Sequence, residues 1–500
     1  MRRGLTRTLL AAWLAGAAFA RAGEPLPPAR PVPPATPAEP ARLPIDLPTA
    51  LRLADASNPT VAVARARVAE AYARLRQADL YWLPTITPGA TYQRHDGQLQ
   101  DTRGAILTVS RQSLFAGAGA IGRVNTADAL FLPLIARRLT AAAAADARAT
   151  VNNVQLDVAS TYLDLLSVTA AMAINADTLA RAEEMLRLAR AADRAGVNKT
   201  AADVPRAQTE VSLRRQEAID LEGRAAVVSA RLAQLLLLDP GVDLAPADPV
   251  VVPVTLVPDR PLPELFATAA AYRPELAANR ALAAAARDRL RQAQIGPFLP
   301  RLELSYVGGT FGGGRDHDFD NFGPRGDATA SATWEFRNLG LGNIAIARER
   351  EAQVAAASAH IVEVQAQVTA EVAAAAKVSR YRLQTLTAAQ EAVRQAVEMY
   401  RRLEASSFGM AGPTRQYDAL EPLVAIQALN QARTQYLTEV IEYDRAQFRL
   451  YTALGQPPLC ALPGATQPVE VPVNPAAPAA PPAAAAPPPT NPWTAPAPSR

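Results

Sequence analysis

The stretch ATASATWEF, residues 328–336, alternates without a break. Ala328, Ala330, Ala332, Trp334 and Phe336 project to one side of an extended chain, and Thr329, Ser331, Thr333 and Glu335 to the other. A period of two over this length is a β-strand with one apolar and one polar face. It stands in a chain of 500 residues whose remaining pattern is mostly helical and rich in alanine. The fold turns on what such a strand can pair with.

The opening residues, MRRGLTRTLLAAWLAGAAFARA, place Arg2, Arg3 and Arg7 ahead of an apolar run from Leu9 to Ala20. Two small-x-small sites follow, Ala18-Phe19-Ala20 and Ala20-Arg21-Ala22. Residues 1–22 read as a secretory signal peptide, since the run is too short for the ~20 residues of a membrane span. Its four arginines account for the whole formal net charge of +4, which leaves the exported chain near neutral. No sustained Lys/Arg stripe is present, so no nucleic-acid partner is expected. Cys460 is the only cysteine, which excludes an intrachain disulfide, and none sits at the cleavage site to carry a lipid. No later segment has eighteen consecutive apolar residues, so no transmembrane helix is expected. An exported chain of this kind enters a membrane only as a barrel.

Proline marks the boundaries. Of the 43 prolines, ten fall in residues 24–48, seven in 239–263 and thirteen in 461–500. Proline fixes φ and lacks an amide donor, so these stretches read as extended segments. The expected divisions are a Pro-rich N-terminal segment (23–46), a first structural repeat (47–238), a Pro-rich linker (239–261), a second repeat (262–456) and a disordered Pro/Ala tail (457–500).

The repeats are visible as sequence. Leu47-Pro48 matches Leu262-Pro263, Pro59 matches Pro274, and Leu75-Arg76-Gln77-Ala78 matches Leu290-Arg291-Gln292-Ala293, all at an offset of 215. Each half reads helix, strand, strand, helix, helix. In the first half the expected elements are a helix at 48–81, strands at 84–94 and 105–115, and helices at 123–195 and 201–238. In the second they are a helix at 263–296, strands at 299–311 and 327–337, and helices at 342–406 and 413–454. Gly-rich polar stretches, HDGQLQDTRG and GGGRDHDFDNFGPRG, separate the strands; AGVNKTA and SSFGMAGPT separate the helices.

The long helix of the first half would run ~110 Å at 1.5 Å per residue. The two shorter helices of that half sum to the same length, which predicts that they stack end to end beside it. Leu165, Met172, Leu179 and Leu186 repeat every seven residues, as do Val211, Ala218, Ala225 and Leu232. Such heptads suit coiled-coil contact, and Pro133 is expected to kink the long helix near its start. An elongated helical object follows; a soluble bundle of ordinary helices is the competing reading.

The strands are near the ~9–11 residues of a tilted membrane strand. Leu302, Leu304 and Tyr306 oppose Glu303 and Ser305. In the second strand Leu107 and Val109 share a face with Arg111, which is awkward against lipid. In the first, Pro88 and Gly89 predict a bend or bulge. Trp82, Tyr92, Phe115, Phe298, Phe311, Trp334 and Phe336 fall at or near the expected strand ends, as membrane-interface aromatics do. Four strands cannot close a barrel in lipid, and an open edge there leaves amides unpaired. Copies of the chain must therefore complete the wall, and cyclic symmetry supplies them.

No acid–base or nucleophile pattern emerges, and no enzyme activity is expected. Asp316, His317, Asp318 and Asp320 lack a calcium-loop pattern, and His95, His317 and His360 are too scattered for zinc, so no metal and no cofactor is expected.

The duplicated order, the strand-to-helix stretches SLFAGAGAIGRVNTADA and WEFRNLGLGNIAIARER, and the turn AGVNKTAADVPRAQTEV with Asp203, Val204 and Ala207 resemble the TolC family of outer-membrane efflux proteins. The resemblance covers about residues 45–456. It implies a mainly α chain with a small β part: long helical hairpins forming a periplasmic α-barrel, and four strands per chain in a shared trimeric β-barrel. It implies a homotrimer in the outer membrane of a Gram-negative bacterium that works with a periplasmic adaptor and an inner-membrane pump, in efflux or type I secretion. The helix turns near Gly196 and Gly409 would form the periplasmic tip. The family's ring of paired acids there falls, counting from Gly409, on Arg415 and Asp418, so one carboxylate is replaced by a cation. Asp203 is the corresponding candidate in the first half. A periplasmic coiled-coil scaffold without channel activity is the alternative.

Overall fold

The structure is a computed structural model that describes residues 42–196, 200–247, 250–316, 318–408 and 420–461. The signal peptide, residues 462–500 of the Pro/Ala tail, Gly409, Arg415 and Asp418 lie outside the described residues.

The chain opens with β1 (Leu43–Ile45), α1 (Leu47–Ser57) and α2 (Pro59–Asp79). It continues through β2 (Thr85–Gln100), β3 (Ile106–Asn125), α3 (Thr126–Arg194) and α4 (Asp203–Leu236). After β4 (Leu244–Pro246) come α5 (Leu262–Tyr272), α6 (Pro274–Ile295), β5 (Arg301–Arg315), β6 (Gly323–Thr333), α7 (Leu341–Phe408) and α8 (Leu420–Ala453). The same order of paired short helices, strand hairpin, long helix and return helix thus occurs twice.

The first helix of each half is broken in two. Asn58 is the residue between α1 and α2; it takes extended φ/ψ before Pro59 and its side chain accepts the Thr60 N–H. The equivalent break falls at Arg273 before Pro274. Proline disfavours helical geometry in the residue before it and suits the first turn of the next helix. Both breaks are joints. Asn58 donates to the Leu235 carbonyl in the last turn of α4 (2.8 Å), and Arg273 Nε donates to the Ala453 carbonyl at the end of α8 (2.8 Å). The short helices therefore meet end to end beside a long one.

α3 packs against α1, α2, α4, α6 and α8, while α7 packs against α5, α6 and α8. One core cluster gathers Leu51, Val61, Val158, Leu165, Leu232, Leu236 and Phe448 near the joints. A second, toward the far end of α3, holds Met185, Leu186, Val211 and Ile426. The expected heptads lie on this seam: Leu165, Leu186, Val211 and Leu232 are buried, and Met172, Leu179, Ala218 and Ala225 half-buried. α3 contains an eighteen-residue window with mean hydropathy 1.2, apolar enough to cross a bilayer by composition.

The strand lengths differ from expectation. β2 reaches Gln100, and β3 runs twenty residues to Asn125 rather than stopping at Phe115. The alternation of glycine and alanine in AGAGAIGRVN has no β-branched residue before Ile121, so it does not look like a strand, yet pairing with both neighbours holds it extended. β6 ends at Thr333, short of Trp334 and Phe336. The ladder also passes through Pro88 and Gly89 in register, opposite Ala118 and Gly117, so the expected bulge is absent there. Pro88 lies on an edge strand, where proline is tolerated.

The Pro-rich segments are more ordered than composition suggests. β1 and β4 pair in parallel, Leu43 with Leu244. Residues 254–257 are strapped along α8 by three of its side chains. Asp444 accepts the Val254 N–H (2.7 Å), Tyr443 Oη and Thr255 Oγ1 share a hydrogen bond (2.8 Å), and Gln447 Oε1 accepts the N–H groups of Leu256 and Val257.

Candidate functional site

The four-stranded antiparallel sheet has the order β2-β3-β5-β6, so β2 and β6 are its edges. Its ladders run in continuous register, and side-chain parity therefore carries across the sheet. One face bears Ile86, Ala90 and Tyr92, then Ala116, Ala118, Ala120 and Val124, then Leu302, Leu304 and Tyr306, then Ala328, Ala330 and Ala332. Ile86 and Leu304 remain about 70% exposed, 71% and 68%. The other face bears Thr87, Thr91, Ser305, Thr329 and Ser331 with three ion pairs. These are Arg123–Glu303 (3.3 Å), Arg325–Asp327 (2.9 Å) and Arg301–Glu335. Arg325 also covers the Phe311 ring at 4.9 Å. Arg111, awkward when its strand is read alone, has the parity of this polar face.

Trp82, Phe298, Trp334 and Phe336 flank the helix-side end of the sheet, just outside β2, β5 and β6, and all are exposed. Tyr92, Phe115 and Phe311 do not sit at strand ends. They lie within β2, β3 and β5, because all three strands extend past them. Phe115 and Phe311 are cross-strand partners on the polar face, on one rung with Thr91 and Gly323. Tyr92, on the opposite face, meets Phe319 edge-on at 6.2 Å, and Phe319 meets Phe322 at 5.2 Å.

At the other end of the molecule α3 stops at Arg194 and the chain turns through Gly196, whose φ of +66° is left-handed. Nothing crowds the position where a Cβ would sit, so backbone conformation alone explains glycine there. Asp203 follows, in the first turn of α4. It is completely buried, accepts Thr200 N–H (3.1 Å) and Thr200 Oγ1 (2.8 Å), and lies 3.5 Å from Arg206. Its carboxylate holds the turn together.

Above the tip the helices are tied by polar groups the sequence reading missed. Asp177 on α3 accepts Arg181 (2.9 Å) and Arg433 of α8 (2.5 Å). Partial burial pushes this carboxyl up, but the two guanidinium groups together hold it below the usual carboxylate range. Arg181 in turn lies 4.5 Å from the ring centroid of Tyr400 on α7, and Gln427 reaches Glu210 on α4 (2.8 Å). Asp177–Arg181 is an i,i+4 pair within α3, but no periodic signal marks the ties to Arg433, Tyr400 and Gln427, which come from other helices. Beside them an open groove of about 800 Å³ between α3 and α4 is lined by Arg187, Arg190, Arg194, Arg215, Glu183 and Gln208.

Residues 50–236 match the model of the outer membrane efflux protein family. Over this stretch the chain is similar to that family. Solved structures extend the likeness beyond it. A membrane protein from Pseudomonas aeruginosa is 20% identical, with a TM-score of 0.69, covering 87% of this chain and 100% of its own. The outer membrane protein VceC of Vibrio cholerae is 19% identical, with a TM-score of 0.66 over 82% of this chain and 96% of its own. The outer membrane channel MtrE of Neisseria gonorrhoeae, in its open state, is 18% identical, with a TM-score of 0.62 over 82% and 89%. At these identities the likeness establishes the fold. No curated protein sequence matches the chain. The efflux-protein family is one of outer-membrane channels rather than enzymes, and the mainly helical chain with its four-stranded sheet has the architecture of the solved neighbours.

Proposed function

We propose that this chain is one third of a passive duct across the outer membrane and periplasm. Three copies would pool four strands each into a twelve-stranded barrel, with β6 of one chain against β2 of the next. The observation that carries this reading is the sheet itself. Toward the helices it has an apolar face, from Ile86 to Tyr92, Ala116 to Val124, Leu302 to Tyr306 and Ala328 to Ala332, a charged opposite face and two free edges, a combination stable in lipid only when the edges are closed. Strand length supports it. Arg301 to Phe311 spans ten residue steps, roughly 33 Å of strand, which at a tilt of ~40° gives roughly the 25 Å height of an apolar band.

The two halves, residues 47–238 and 262–456, act as duplicated wall units joined by the 239–261 strap. Their helices would form the periplasmic tunnel, with Gly196, Asp203, Gly409, Arg415 and Asp418 at its tip. Export energy would come from an inner-membrane pump through an adaptor docked at that tip, where the Arg-lined groove offers a polar surface. Purified protein imaged in detergent or a bilayer should show three-fold particles, hollow and about a hundred ångströms long in the helical part. A folded monomer in a bilayer would overturn the proposal.

A further inference from the structure

The polar face of the sheet sorts its arginines into two kinds. Arg123, Arg301 and Arg325 each have an acidic partner. Arg111 and Arg315 have none among the described residues. These two are direct cross-strand partners, and Arg111 is also the partner of His95, so His95, Arg111 and Arg315 form one rank across β2, β3 and β5. Directly opposed like charges destabilise a strand pair, so the arrangement calls for something negative to offset it. His95 Nε2 is buried and has no hydrogen-bond partner among the described residues.

The nearby acids do not serve. Asp318 and Asp320 belong to the segment that folds over the opposite face. There a Cβ on Gly312 would strike Phe322 and one on Gly314 would strike Asp318, while Gln112 donates to the Asp318 carbonyl. Asp96 has that same opposite parity and is taken by Arg94 (2.7 Å) and Ser110 (2.6 Å). At this level Asp96, Asp318 and Asp320 thus lie on the face opposite Arg111 and Arg315.

We propose that His95, Arg111 and Arg315 form an anion-selective ring at the outer mouth of the duct. The inference rests on the trimeric reading above, in which the polar face lines the bore. Three copies then place six guanidinium groups and three imidazoles around one level. A twelve-stranded barrel with strands ~4.8 Å apart and tilted ~40° has a radius of roughly 12 Å. Arginine reaches roughly half of that inward, so the axis lies within the ~8 Å over which charge acts in physiological salt. A ring of fixed charge at that range selects permeant ions by sign. The ligands are small anions and the anionic groups of passing solutes.

The test is the chloride-to-potassium permeability ratio of the purified trimer in a planar bilayer under a KCl gradient. The wild type should favour chloride, about threefold or more. R111Q/R315Q should bring the ratio to one or below, and each single substitution should move it part of the way, which covers a double variant that assembles poorly. R94Q, on the outer face, should leave it unchanged. A conducting wild type that prefers potassium, or a ratio unmoved by the substitutions, overturns the ring while leaving the duct intact. Absence of conductance overturns the duct and the ring together.

Discussion

Asn58 and Arg273 stand 215 residues apart, the offset at which the two halves of the sequence align, and each bonds the last turn of a return helix. Arg273 does more than Asn58: it also reaches Glu275 (3.1 Å) and Glu371 (2.5 Å) from a site only 9% exposed. The joint is the same; the side chain that makes it differs. Asn58→Ala removes a helix cap and a buried bond, a cost of about 1–2 kcal/mol. Arg273→Ala removes the cation from two carboxylates and the donor from a carbonyl, and should cost more, about 2–4 kcal/mol. Arg273→Lys should rescue little, because one ammonium cannot reach in the same three directions. Thermal melts of the detergent-purified protein rank the three.

Asp444 gives a pH dependence with a definite sign. Burial pushes its carboxyl up to about 7, and the Val254 N–H opposes this only in part. An unfolded chain would lose that proton near 3.8. Below that value both states are protonated and the group is neutral in the balance. Between about 4 and 7 the folded state holds the proton longer, so rising pH costs stability, and above 7 the penalty is constant. Asp444→Asn keeps an acceptor for Val254 and removes the charge. The drop in melting temperature between pH 5 and pH 8 should shrink in this variant; an unchanged drop would assign the dependence elsewhere.

Gly117 and Gly309 face each other across β3 and β5 at their closest approach. A Cβ on Gly117 would lie 2.3 Å from the Gly308 carbonyl oxygen, and one on Gly309 2.4 Å from that of Ala116. Both obstacles are backbone and cannot turn aside. Gly309→Val should therefore prevent the two hairpins from joining, seen as loss of amide-exchange protection along β3 and β5. Ala116→Ser, one residue from Gly117 on the opposite face, should assemble normally.

Asp203 is a gate candidate in the sequence; in the structure it is buried and holds the turn. Asp203→Ala removes the acceptor for both Thr200 donors and should cost about 1–2 kcal/mol. Faster amide exchange at 200–206 would show it, without a change in ion selectivity.

Arg415→Asp restores the acidic pair that the family's tip would carry. Conductance should become more sensitive to divalent cations; an unaltered block would remove Arg415 from the ring.

The sequence revealed order and orientation better than extent. ATASATWEF announced a two-faced strand because its periodicity is pure, and the heptads announced the helical seam because leucine marks it. β3 was cut short where glycine and alanine carry no strand signal, and Tyr92, Phe115 and Phe311 were placed at strand ends for that reason. Arg111 looked misplaced until the partner strands fixed which face it shared. The ties among Asp177, Arg433, Arg181 and Tyr400 depend on how helices are rotated against each other, which no local pattern encodes.

The unequal strands set a waterline. β6 starts at Gly323, opposite Phe311, whereas β2 and β3 climb on to Gln100 and Ile106. In the proposed trimer a neighbouring chain would have no β6 left beyond Phe311 to offer the free edge of β2, and amides without a mate survive only where solvent reaches them. Lipid would then end at that level, and each copy would raise a hairpin turret above it. Antibodies, phages or proteases approaching from outside would meet those three turrets first.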